Sequence, residues 1–111
     1  MNWFKQSKAF LTKLEYNKLI YAIMDVATSQ FTEMMRKAGG DPLPTTEAVI
    51  DNPQDYGSRM GLSPENVAEI LERNPQIQYS NGSVIVGWQD LPQKNKQQAR
   101  QRSGTLKYEL V

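Results

Sequence analysis

Residues 55–88 read DYGSRMGLSPENVAEILERNPQIQYSNGSVIVGW, and the way this stretch divides decides the fold. Gly61 stands where a first helix should stop, because glycine tolerates the left-handed backbone that often closes a helix. Leu62 is expected to pack under the turn. Ser63 can cap the next helix by accepting from an orphan backbone N–H, and Pro64 suits the first helical position. Asn66, three residues after Ser63, is neither Glu nor Gln, so a full capping box is absent. Val67, Ile70 and Leu71 mark one face at helical spacing. Pro75 cannot continue the helix, so Asn74-Pro75 ends it. Upstream, Gln54 to Met60 supplies the first helix, with Tyr56 and Met60 inward and Arg59 outward.

Beyond the second helix the period changes from helical to alternating. Ile77 and Tyr79 alternate before Ser80, and Val84, Val86 and Trp88 alternate after Ser83. Asn81-Gly82 between them is the pair preferred by a two-residue type I′ turn. Helix, turn, helix, hairpin is the order of a winged helix-turn-helix. The expected fold class is α+β, mainly α, with a two-stranded hairpin wing and a basic C-terminal tail.

With 111 residues the chain suits one domain, expected over residues 1–92, with 93–111 as a polar basic tail that is helical or disordered. Cysteine and histidine are absent. Disulfides, thiolate metal sites, His-ligated zinc and His-based catalysis are thereby excluded. Gly39-Gly40-Asp41 lacks the Gly-Lys-Ser/Thr of a phosphate loop. With no nucleophile–base pair or cofactor motif, the expectation is a non-enzyme with no catalytic residues, no cofactor and no metal. No apolar run approaches the roughly 20 residues that span a bilayer, and no signal-peptide core follows the N-terminal lysines. A cytoplasmic protein without membrane contact is expected, in the host cytoplasm if the chain is phage-encoded.

Towards the N-terminus, Trp3 and Phe4 are expected to dock on the core. Ser7 is read as the cap of a short helix carrying Phe10, Leu11 and Leu14, with a break at Tyr16-Asn17. Residues 18–38 form the main helix, its stripe running from Leu19 to Ala38. Met24, Met34 and Met35 are read as core rather than as an adaptable binding face. Residues 39–53, rich in Gly and Pro, are read as a long connection in which Thr45 or Thr46 caps a single turn over Ala48–Ile50.

The net charge of +1 conceals an uneven spread. Residues 1–18 carry four lysines against one glutamate, residues 19–90 four basic against ten acidic residues, and residues 91–111 five basic against one glutamate. Basic ends around an acidic middle fit arms that meet phosphates.

MNWFK at the N-terminus and VIVGWQDLPQKNKQQARQR after the turn resemble the N-terminal winged-helix domain of phage replisome organiser (replication initiation) proteins. The basic stretch with an aromatic near its end, Arg100, Arg102, Lys107 and Tyr108, is similar too. The resemblance implies recognition of origin DNA, with a later part of such proteins engaging the replication machinery. The chain ends at Val111, so that later part is expected to lie outside it.

Read as a DNA binder, the chain offers Arg59, Ser63, Asn66 and Arg73 on or beside the second helix and Asn81 at the hairpin tip. Lys94, Lys96, Arg100 and Arg102 would neutralise phosphates. Asn66 is the candidate for adenine, since a carboxamide can bond N6 and N7 together. The partner would be double-stranded DNA. One feature departs from a typical groove reader: Glu65, Glu69 and Glu72 accompany Arg73 on the outward face of the second helix. The alternative is therefore a winged-helix protein–protein interaction module, adaptor or inhibitor, that uses its acidic central surface or forms a homodimer.

Overall fold

The computed structural model describes residues 11–105. The expectations for Trp3, Phe4, Ser7, Phe10, Lys107 and Tyr108 fall outside them. The described chain is α+β and mainly helical: α1 (Lys13–Ala38), β1 (Glu47–Asp51), α2 (Pro53–Arg59), α3 (Pro64–Glu72), β2 (Ile77–Ser80), β3 (Ser83–Gly87), a 3₁₀ turn (Trp88–Asp90) and α4 (Gln93–Ser103). No helix among the described residues is long and apolar enough to cross a membrane.

The spine is α1. Leu19, Ile23, Ala27, Phe31 and Met35 recur every fourth residue and are fully buried. Residues four apart share one helix face, so this row faces the core. Met24 is buried and Met34 packs beside the core, so the methionines are packing residues. The helix starts earlier than its stripe implies and runs through Tyr16-Asn17 without a break. Its cap is Thr12, whose hydroxyl accepts from the Glu15 N–H while the Glu15 carboxylate accepts from the Thr12 N–H. The carboxylate also accepts from the Thr12 hydroxyl (2.8 Å), and its bonds from the Thr12 backbone N–H first and hydroxyl second hold the Glu15 carboxyl below its ordinary pKa.

The connection after α1 contains a strand rather than a capped turn. Glu47–Asp51 alternates exposed and buried, with Ala48 and Ile50 inward. Strand order is β1-β3-β2, antiparallel throughout. Val86 stands opposite Ala48 and Ile77, and Val84 opposite Ile50 and Tyr79, so one face of the sheet is apolar against α1. On the far side of β1 the Gln30 carboxamide donates to the Val49 carbonyl (2.6 Å) and accepts from the Val49 N–H (3.0 Å).

α2 and α3 form as the sequence reading expects. Gly61 has φ +81°, its N–H donating to the Ser58 carbonyl while that of Leu62 donates to Gly57 (2.9 Å). This pair of bonds closes α2 on a left-handed residue. Ser63 accepts from the Asn66 N–H (3.1 Å) to open α3, and Leu62 is buried beneath the turn. The helices touch at Gly57, where a Cβ would lie 2.1 Å from Val67 Cγ2. The hairpin closes through Asn81 (φ 54°) and Gly82 (φ 77°), both left-handed, as a type I′ turn requires.

Leu91-Pro92 was expected to mark the exit from the domain, and the structure corrects this. Leu91 is buried and α4 turns back alongside α1, with Ala99 in the core. Asn95 donates to Thr28 Oγ1 (2.9 Å), and Arg36 donates to the Arg102 carbonyl (3.0 Å). The two helices therefore run in the same direction.

Gly57→Ala should cost about 1–3 kcal/mol in denaturant unfolding, the usual penalty for overfilling a packed site. Shortening the opposing side chain in Gly57→Ala/Val67→Ala should recover part of that loss. A second expectation concerns pH. A lowered folded pKa means the Glu15 contribution is present above the unfolded value and lost as pH falls through the folded one. The protection of first-turn amides of α1, taken as exchange relative to an unstructured chain at the same pH, should therefore fall on acidification, and Glu15→Ala should remove that dependence.

Candidate functional site

The residues expected to meet DNA do not share one surface. Four concern α2 and α3. Arg59 is exposed but pairs with Asp55 (3.1 Å). Arg73 is exposed and pairs with Glu69 (3.6 Å). Ser63 uses its hydroxyl as the α3 cap. Asn66 corrects the sequence reading: it is 7% exposed, and its Oδ1 is buried with no hydrogen-bond partner. It cannot present its carboxamide edge to a base. The spacing contained this outcome, since Asn66 lies four residues before Ile70 and so on the buried face of α3.

The hairpin tip is exposed but tied down. Asn52 N–H donates to the Gly82 carbonyl (3.3 Å), and Ser83 Oγ donates to Asp51 Oδ1 (2.8 Å). Asn81 therefore sits level with the end of β1, beside a carboxylate. No lysine or arginine occurs between Asn74 and Gln93, so the hairpin brings no phosphate ligand of its own.

On α4 the four cations divide in two. Lys96 Nζ donates to the Gln89 carbonyl (3.3 Å) and lies 5.8 Å from the Trp88 ring centre. Arg100 stacks on Trp88 at 5.4 Å and forks onto Asp41 with bonds of 2.9–3.2 Å. Both are structural cations, Arg100 the more so at 20% side-chain exposure. A guanidinium over an indole and in a bidentate carboxylate fork is the geometry that holds arginine firmly. Lys94 and Arg102 are exposed and lie eight residues apart on α4, about 12 Å along the axis.

These two follow the seam between α4 and α1. Near its start a groove of about 530 Å³ is lined by Tyr16, Asn17, Tyr21, Asn74, Lys94 and Gln98, among others. Near its end Arg102 faces Ser29, Glu33 and Arg36 across a shallower depression. Sequence reasoning missed this groove because its residues come from three separate stretches.

Charge divides by element. Helices α1 and α4 hold eight basic residues against three acidic ones. The strand β1 with α2, α3 and the Arg73 cap holds six acidic residues against two arginines, both paired. The basic ends and acidic middle of the sequence thus fall on different elements, although Lys18 of α1 lies beside Met60 and Leu62 of the α2–α3 turn.

Replacing Asn66 by leucine should leave the protein as stable or more so in denaturant unfolding, because an unsatisfied buried polar group costs about 1–3 kcal/mol. A drop of several kcal/mol would show instead that the carboxamide has a partner. Comparison with protein-family models, with curated proteins and with solved structures finds no match.

Proposed function

We propose that this chain is a winged-helix protein that binds double-stranded DNA, and that it does so through the basic α1–α4 surface rather than by inserting α3. The winged-helix reading is supported by the element order, by the capped turn between α2 and α3, and by a hairpin whose second strand pairs with β1. The observation that carries the DNA reading is the charge division: eight cations to three carboxylates on α1 and α4. Phosphate neutralisation is the main source of affinity for duplex DNA, and with Lys96, Arg100 and the Arg36–Glu33 pair set aside, α1 and α4 still carry five cations against two carboxylates. Carboxylates on α3 would repel phosphates as that helix approached the groove. The resemblance to phage replication initiation proteins suits a duplex-binding role.

A second reading rests on its own observation. The α2–α3 surface is acidic, with Glu65 and Glu72 exposed and both nearby arginines already paired. Such a surface suits a basic protein partner, its charges setting partner choice and association rate. The two readings use different elements and can hold together.

Fluorescence anisotropy of labelled duplex DNA across a salt series tests the first. Affinity should fall linearly on logarithmic axes, and Lys94→Ala and Arg102→Ala should each lower the slope by about 0.9. Glu65→Ala should leave the slope unchanged. Absence of duplex binding at low salt, or a slope untouched by both α4 substitutions, would sink the proposal.

A further inference from the structure

The groove at the start of the α1–α4 seam has a composition that phosphate neutralisation alone does not call for. Tyr21 is 66% exposed on α1, and Tyr16, five residues before it, is partly buried and packed against the core. Asn17 and Gln98 bring planar carboxamides to the same space, and Lys94 brings a cation, while Asn74 is buried at its edge with Oδ1 accepting from the Gln76 N–H (3.4 Å). Ile20 and Met24 belong to the lining and are buried, giving an apolar floor. The volume, about 530 Å³, is in the range of small-ligand sites, roughly 300–1,000 Å³.

These groups match an unpaired nucleobase with its phosphate. A base has a π face that stacks on an aromatic ring, whatever its identity. Its edge carries in-plane donors and acceptors that a carboxamide meets two at a time. In a duplex those faces are stacked and hidden, so a pocket of this kind can take bases only from a single strand. From the groove the seam continues to Arg102, where a following phosphate would find its cation. We propose that the groove is a binding site for an unpaired nucleobase of single-stranded nucleic acid, with Tyr21 as the stacking platform and Lys94 as the phosphate ligand. The inference rests on the reading of the α1–α4 surface as the nucleic-acid face and adds to it a strand state and a stacking residue.

The test uses the full chain, a labelled 12-nucleotide single strand and a labelled duplex of the same sequence. Tyr21 is mostly exposed, so Tyr21→Ala should fold as the parent does, and circular dichroism checks this. Tyr21→Ala should weaken single-strand binding roughly 5- to 150-fold, the range for loss of one base stack, while duplex binding stays unchanged. Tyr21→Phe should restore single-strand affinity, because the ring rather than the hydroxyl does the stacking. An unlabelled 5′-mononucleotide competing as well as the oligomer would assign the same site to free nucleotides. Competition by the oligomer alone assigns it to strands. Duplex binding without single-strand binding, or single-strand binding indifferent to Tyr21→Ala, overturns this inference and leaves the duplex reading standing. Single-strand binding that depends on Tyr21, without duplex binding, does the reverse.

Discussion

The fold depends on one indole. Trp88 follows β3, and its ring meets Phe31 of α1 edge to face at 5.1 Å. Arg100 and Lys96 of α4 lie over the same ring, and its backbone N–H donates to the Thr46 carbonyl just ahead of β1. The sheet, the spine helix and the last helix thus meet at one side chain. Without that meeting point α4 would have little reason to stay, since it buries only Ala99 and is otherwise strongly polar. Aromatic and cation–π contacts of this kind are worth about 0.5–2 kcal/mol each. Several acting on one residue, with the Asp41 fork holding Arg100 in place, substitute for the apolar stripe that α4 lacks.

That substitution explains where the sequence was legible and where it was not. The turn between α2 and α3 and the hairpin could be read because local residues dictate them: Gly61, Ser63-Pro64 and Asn81-Gly82 act within a few residues of themselves. The start of α1 was legible in principle, since Thr12 and Glu15 have capping-box spacing, but the pair lies ahead of the apolar stripe that drew the reading. The strand β1 had its alternation in Glu47–Asp51, masked by the prolines and glycines before it. What no local pattern could supply was the place of α4. Of its anchors, Trp88 lies 8 residues from Lys96, Asp41 59 from Arg100 and Thr28 67 from Asn95 along the chain. A Gln- and Lys-rich run looks solvated until its tertiary partners are known. The site was less legible still, because the groove forms only once α4 lies beside α1.

The same packing gives the chain's charges their meaning. A net charge of +1 says little about partners, and the distribution in sequence says only that the ends differ from the middle. Folding the basic C-terminal helix against the spine sets Lys94, Arg102 and Arg36 along one seam. Local pairing on α2 and α3 cancels the two arginines there. Two of the α4 cations serve the fold, so the number able to serve a ligand is smaller than the sequence implies. Residue identity alone overstates a binding surface when the same side chains also hold the structure together.

The Gln30 carboxamide, bonded to both polar groups of Val49, has a consequence for association. A strand at the border of a sheet is a template on which another chain can grow, and here that template is occupied by a side chain imitating a neighbouring strand. Among the described residues β2 is the other border and carries no such plug. A sheet that can be extended on one side only can join one other sheet and then has nothing left to offer. Any strand pairing between copies through β2 would therefore stop at two, where a sheet open at both borders could continue into a fibre.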